Sequence, residues 1–122
     1  MVRVYPTAII GDMNRGVVQV PDCLPTALEL IIREFDPLRI ILFGSYARGD
    51  ARPNSDLDLL VVMPTIVDKR ATTVGIMRAL RNLPISKDVV MTTPHEIAER
   101  GSDVGLVLRP ALREGVVVYE RE

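Results

Sequence analysis

The chain has 122 residues, of which 48% are hydrophobic and 25% are charged, as is typical of a single globular domain. Fifteen Lys and Arg residues against sixteen Asp and Glu residues give a formal net charge of −1, which argues against general nucleic-acid binding and against a basic membrane-surface helix. No apolar run reaches the roughly 18–20 residues of a transmembrane helix, and a single cysteine, Cys23, permits no internal disulfide, so a cytoplasmic location is expected.

Residues 1–23 carry the weakest pattern in the chain. Two short β-branched runs, at residues 8–10 and 17–20, flank a turn-rich segment at residues 11–16. This arrangement is compatible with a hairpin or with an extended arm. Residues 24–122 are expected to form the main domain.

A helix and a strand are predicted next. Thr26 and Glu29 have the spacing of a capping box, and apolar residues then recur at helical intervals as far as Phe35. Pro37 is expected to end the helix, because the residue before a proline is disfavoured in the helical conformation. Residues 38–43 have the composition of a short buried strand.

The rest of the chain alternates strands with helices. The strand stops at Gly44 and Ser45, a polar, glycine-containing loop is predicted over residues 46–55, and strands are predicted over 56–63, 85–92 and 116–119. Helical patterns lie between them, including a capping box that begins at Thr93 and a last helix towards Arg113 that Pro110 should kink or split. This order predicts an α/β (α+β) fold, with a small mixed β-sheet and helices packed on one face.

Two aspartates stand at the start of the second predicted strand. Because side chains alternate along a strand, Asp56 and Asp58 should share one face, and Leu57, Leu59 and Val61 the other. Like charges held that close cost stability unless a cation lies between them, and Mg²⁺ commonly takes one or two protein carboxylates plus water and phosphate. The alternative is an ordinary solvated strand with polar residues on its open face.

A third acid, Asp88, lies in the next predicted apolar strand, where a carboxylate is costly without a partner. If the two strands are neighbours, three carboxylates converge, and such a set can hold two metal ions about 4 Å apart. The alternative is a surface acid on an exposed edge, which the adjacent Lys87 also fits.

Gly44 and Ser45 follow the first predicted strand. Glycine lets the backbone approach a phosphate closely, and free N–H groups and a serine hydroxyl can then donate to it. Arg48 and Arg52 on the same segment are candidates for neutralising the remaining phosphate charge. The alternatives are a Ser45 that only caps a following helix and two ordinary surface arginines.

These motifs together resemble a known family. Residues 44–50 read GSYARGD and residues 54–59 read NSDLDL, which closely resembles the signature of the minimal nucleotidyltransferases (MNT) of the DNA polymerase β-like superfamily. The segment from Asp88 to Val90 resembles the third acidic strand of that family, and residues 112–120 resemble its usual C-terminus. The resemblance covers residues 24–120 and implies a polymerase β-like nucleotidyltransferase core.

The resemblance implies transfer of a nucleotide, usually AMP from ATP, to a hydroxyl group with release of pyrophosphate. Asp56 and Asp58 would hold two Mg²⁺ ions, and Asp88 would ligate the ion that activates the acceptor hydroxyl. Gly44 and Ser45 would bind the β- and γ-phosphates.

The resemblance also implies a partner. Many minimal members are encoded beside a HEPN-domain protein, often a ribonuclease toxin, and in some MntA-type pairs the transferase is the antitoxin that adds AMP to a tyrosine. Because 122 residues leave no room for a second substrate domain, a homo-oligomer or a HEPN partner is expected to complete the site. Two other functions stay open: a binding module that neutralises its partner by contact alone, and a transferase acting on a small molecule of the aminoglycoside type.

Overall fold

The computed structural model describes residues 2–4, 20–100 and 108–121. Within these ranges the chain forms one mixed sheet and five helices. The elements in chain order are β1 (Val2–Val4), α1 (Leu24–Phe35), β2 (Arg39–Phe43), α2 (Gly44–Arg48), β3 (Leu57–Val62), α3 (Lys69–Ala79), β4 (Lys87–Thr92), α4 (Pro94–Arg100), α5 (Leu108–Glu114) and β5 (Val116–Arg121).

The five strands form a sheet in the order β1-β5-β2-β3-β4. The β3–β4 pair is parallel, and the other three pairs are antiparallel. A parallel pair requires a crossover connection, which α3 supplies between β3 and β4. The predicted α+β class with a mixed sheet is therefore confirmed.

The main core lies between one face of the sheet and helices α1 and α3. Leu57, Leu59 and Val61 of β3 are fully buried there, as their alternation with the aspartates predicts. Helix α5 adds a smaller contact on the opposite face, where Ala111 packs with Ile41 and with the fully buried Leu60. The expectation that helices pack on one face holds for α1 and α3, whereas α5 packs on the other face, so β3 is covered on both sides.

The capping box predicted at the start of α1 is wrong. The helix begins before Thr26 with Cys23 in the N-cap position, and no side chain caps it. Pro25 explains the earlier start, because a proline in the first turn has the helical φ and lacks only an N–H that needs no helical partner. Glu29 instead forms an i,i+4 ion pair with Arg33, with 2.7 Å between Oε1 and Nη2.

Two other predicted helix boundaries are confirmed. Helix α1 stops at the residue before Pro37, where Asp36 adopts the left-handed conformation with φ 49°. Helix α4 begins at Pro94, and the backbone N–H of Glu96 donates to Thr93 Oγ1 at 3.1 Å, as in a capping box.

Part of the sequence prediction lies outside the described residues. The segments 5–19 and 101–107 are not among them, so the hairpin or arm and the start of the last helix stay predictions. In the ranges that the structure does describe, no helix is long and apolar enough to cross a membrane.

Candidate active site

The predicted loop after β2 begins instead with a helix. Strand β2 ends at Phe43, which pairs with Asp58 of β3, and α2 starts at the next residue. Gly44 has φ 74°, and this conformation lets the chain turn directly from the strand into the helix. Only glycine adopts it at little energetic cost. Helix α2 is short and ends at Arg48, and the N–H of the C-cap residue Gly49 donates to the carbonyl oxygen of Ser45 at 3.0 Å.

Gly44 lies directly against the side chain of Asp58. A Cβ atom at position 44 would overlap Oδ2 of the Asp58 carboxylate. The residue must therefore be glycine for two independent reasons, its positive φ and the absence of space. The result is a close contact between the start of α2 and one of the predicted site carboxylates.

The three predicted carboxylates lie at one end of β3 and β4. Asp58 pairs with Asp88 in the parallel register, so both side chains point to the same face of the sheet. Asp56 lies two residues before Asp58, just outside the strand, and its side chain is exposed. The structure thus brings Gly44, Asp58 and Asp88 together, with Asp56 at their edge.

The electrostatics of Asp58 reflect this crowding. Burial, together with the negative charges of Asp88 and Asp56, raises the pKa of its carboxyl group from 3.8 to about 6. The positive charge of Arg48 opposes that shift. Asp58 is therefore a half-buried acid in a negative field, a condition that a bound cation would relieve.

The carboxylates suit a divalent cation that substrate oxygens help to hold. Within the described ranges, no group of three or more His, Cys, Asp or Glu side chains is arranged to hold a metal ion by itself. Mg²⁺ does not need such a set, because it usually takes one or two protein carboxylates and completes its shell with water and phosphate oxygens. The hard oxygen donors of Asp56, Asp58 and Asp88 fit that requirement.

Arg48 lies at the end of α2 between two acids. Its Nε is 3.3 Å from Asp50 Oδ2, and its Nη1 is 3.9 Å from Glu114 Oε2 of α5. The sequence pattern does not predict the contact with Glu114, because only the packing of α5 against α2 brings the two residues together. Arg52 is exposed, and its backbone N–H donates to Ser55 Oγ at 2.7 Å.

Ser45 does not cap the helix that follows the strand. The N-cap position of α2 is Phe43, and no side chain makes a capping hydrogen bond there. Ser45 lies in the first turn, and its hydroxyl donates to no atom in the part of the chain that the structure describes. The hydroxyl is available to a ligand beside Asp58.

Comparison with known proteins gives two similarities. A family model described as a nucleotidyltransferase domain matches residues 25–104, a range that contains Gly44, Asp56, Asp58 and Asp88. A protein of Methanocaldococcus jannaschii named "Putative protein adenylyltransferase MJ0141" is 54% identical over 35 residues, which are 26% of this chain and 35% of that protein. The chain therefore matches about a third of the length of this curated relative.

Proposed function

Because the chain belongs to the nucleotidyltransferase domain family and is thus a transferase of nucleotidyl groups, we propose that it transfers AMP from ATP to a hydroxyl, in the first place a tyrosine hydroxyl, of a partner protein. The observation that carries this proposal is the Asp58 carboxylate, which lies between Gly44 at the start of α2 and Asp88 of the neighbouring strand. The name of the M. jannaschii relative supports a protein as the acceptor.

The start of α2 is the proposed site for the triphosphate. Gly44 has no side chain between the backbone and Asp58, so a phosphate can approach this turn closely. The Ser45 hydroxyl would donate to the β- or γ-phosphate, and Arg48, on the last turn of α2, would face the same negative charge. These contacts would orient the α-phosphorus towards the carboxylates.

Asp56 and Asp58 are the proposed ligands of Mg²⁺, with two ions expected and Asp88 sharing the second. When bound, the metal neutralises phosphate charge and lowers the pKa of the attacking hydroxyl. The pKa of about 6 leaves Asp58 mostly ionised at neutral pH, so its carboxylate is ready to bind a cation.

The proposed reaction forms one bond and breaks one at the α-phosphorus, and it moves one proton. The acceptor hydroxyl oxygen bonds to the α-phosphorus of ATP, and the bond from that phosphorus to the bridging oxygen breaks, so pyrophosphate leaves. Asp88 would take the hydroxyl proton, because it is an exposed carboxylate at the paired position beside Asp58. The carboxylates thus hold charge and move one proton without forming a covalent intermediate.

The proposed acceptor is a HEPN-domain protein, and this chain is then the antitoxin of a cytoplasmic HEPN/MNT pair. The site supports a separate acceptor because Asp88 is exposed at the edge of the sheet, where a second protein has access to it. A second copy of this chain is the other molecule that would complete the site.

The decisive experiment is label transfer from ATP carrying ³²P at the α-phosphate, with Mg²⁺, the purified chain and the HEPN-domain protein encoded beside it. We expect label on that protein, and we expect none with the Asp56→Asn/Asp58→Asn variant. Asp22→Asn is the matched control, because Asp22 is an exposed aspartate just before α1, outside the proposed site. An intact complex of the two proteins without any label would overturn the proposal in favour of neutralisation by contact.

A further inference from the structure

The outer side of α3 exposes apolar and basic residues side by side. We call the α3 surface the exposed Arg70, Val74 and Arg78 of the helix, together with Val67 just before it and Arg81 just after it. Val67 is fully exposed and Val74 is 47% exposed, and these are the large exposed hydrophobic side chains of the described ranges. The residue that α3 buries in the core is Ile76, on the opposite side of the helix. The apolar side chains of the α3 surface therefore have no role in the core.

A shallow groove runs along this surface. It has a volume of about 400 Å³ and is lined by Asp68, Arg70, Ala71, Val74 and Arg78. Arg70, Val74 and Arg78 are four residues apart, so they follow one another along one side of the helix. A partner helix lying in the groove would meet a valine flanked by two arginines.

The arginines of the α3 surface have no partner among the described residues. Arg70, Arg78 and Arg81 are exposed, and none makes an ion pair or a side-chain hydrogen bond there. Their neighbour Lys69 differs, because its Nζ is 2.9 Å from Glu96 Oε2. The net charge of the chain is −1, but the α3 surface carries three unpaired positive charges. This surface therefore favours a negatively charged partner.

The α3 surface extends towards the end of the sheet that carries the candidate active site. Because β3 and β4 are parallel, the crossover helix α3 must run back along the sheet, and it packs on β4. Its C-terminal end, with Arg78 and Arg81, therefore returns to the end of the sheet where β4 starts with Lys87 and Asp88. A protein bound along α3 would therefore reach the end of the sheet that carries the carboxylates, from the face opposite to them.

We propose that the α3 surface docks an acidic amphipathic helix of the protein that receives the nucleotide. This inference rests on the proposed function. The acidic side chains of that helix pair with the three arginines, and its apolar side chains cover Val67 and Val74. A protein fits this surface better than a nucleic acid does, because Val67 and Val74 offer apolar area that side chains can cover and a phosphate backbone cannot.

Binding is tested without nucleotide or metal. The probe is a fluorescein-labelled synthetic helix of about 18 residues with leucines at i, i+4 and i+7 and flanking glutamates, measured by fluorescence anisotropy at low salt. We expect Arg70→Gln/Arg78→Gln to weaken binding at least about tenfold. Arg33→Gln/Arg39→Gln removes the same charge outside the α3 surface, and this matched control should change binding less than about twofold.

Three outcomes of this measurement would overturn the inference. They are no binding to the wild-type chain, equal losses in the two double variants, and tighter binding of a single-stranded RNA of similar charge through the same arginines. A chain that dimerises through this surface, and becomes monomeric in Arg70→Gln/Arg78→Gln by sedimentation, would also overturn it.

Transfer kinetics test the link to the acceptor. In the label-transfer assay, Arg70→Gln/Arg78→Gln should raise the KM for the protein acceptor about tenfold and leave kcat and the KM for ATP unchanged. An unchanged acceptor KM would overturn docking of the acceptor at α3. If the wild-type chain labels no protein at all, the proposed function fails, and peptide binding still decides whether α3 is a docking surface.

Discussion

Asp58 of β3 and Asp88 of β4 occupy paired positions in two parallel strands, so their carboxylates leave the sheet on the same face. In the part of the chain that the structure describes, neither carboxylate accepts a hydrogen bond or forms an ion pair. The charge of Arg48 therefore offsets only part of the repulsion between them. Such a pair lowers the stability of the free protein and favours whatever cation it binds.

The first prediction concerns stability without metal. Folding raises the pKa of Asp58 from 3.8 to about 6. Between these pH values the carboxyl group is ionised in the unfolded chain but still largely protonated in the folded one. The free energy of unfolding therefore falls as the pH rises through this range. At neutral pH the penalty is fully present. Asp58→Asn should thus stabilise the metal-free protein there by about 1–2 kcal/mol, after allowance for partial exposure.

Urea unfolding in EDTA, at pH 4 and at neutral pH, measures this effect. The gain in Asp58→Asn should shrink towards pH 4, where the wild-type carboxyl is protonated in the folded state. Asp22→Asn, an exposed aspartate outside the site, should show no such dependence. An Asp58→Asn variant less stable than wild type at neutral pH would contradict the prediction.

The second prediction concerns metal binding. Mg²⁺ should raise the melting temperature of the wild-type chain at neutral pH, because binding to the folded state alone stabilises it. The rise should be smaller near pH 5, where protons compete for Asp58, whose pKa is about 6. Removal of Mg²⁺ with EDTA should reverse the shift.

Differential scanning fluorimetry at both pH values provides the measurement. Asp58→Asn and Asp88→Asn should each lose most of the shift, and Asp68→Ala, which removes the side-chain cap of α3, should lower stability but keep the shift. An equal Mg²⁺ effect in wild type and Asp58→Asn would show that the ion binds elsewhere.

The third prediction concerns the turn into α2. Gly44→Ala places a methyl group on the Asp58 carboxylate and forces alanine to φ 74°, so we expect a loss of about 2–4 kcal/mol in stability and loss of nucleotide transfer. Gly49→Ala is the matched control. Its φ is 84°, but a Cβ there meets no atom within 4 Å, so only the backbone cost of about 1–2 kcal/mol should appear.

Chemical unfolding and label transfer on the two alanine variants separate strain from the site. Gly49→Ala should retain transfer when assayed below its melting temperature. Comparable loss of transfer in both variants would mean that the positive φ, and not the contact with Asp58, is what the site requires.

The sequence predicts much of the fold because its signals are local. Strands β2, β3 and β4 are short apolar runs between turn residues, and the cap at Thr93 and the stop before Pro37 depend on nearest neighbours. Helix α2 is missed because a short helix that starts at a glycine has too few residues for a periodic pattern. The capping box predicted at Thr26 does not form, because the helix already begins before that residue, with Pro25 in its first turn.

The candidate site is predictable in part for a similar reason. Strand alternation places Asp58 on the face opposite Leu57 and Leu59, and the pairing of Phe43 with Asp58 brings Gly44 beside it. The pairing of Asp58 with Asp88 depends on β3 and β4 being neighbours in register, which no local pattern fixes. The contact of Arg48 with Glu114 needs the packing of two helices that are distant in sequence.

The fourth prediction concerns Arg48. Its positive charge opposes the upward shift in the pKa of Asp58, so Arg48→Gln should move that pKa above 6 by a fraction of a unit, since the arginine is exposed and screened by salt. The acidic limb of the pH–rate profile for label transfer should move in the same direction. A ¹³C NMR titration of the aspartate carboxyls in the metal-free protein measures the pKa directly. The control is Arg39→Gln, which removes an exposed arginine paired with Glu120 and should change neither the NMR titration nor the pH–rate profile. An equal shift in the two variants would show that net charge alone, and not the position of Arg48, sets the pKa of Asp58.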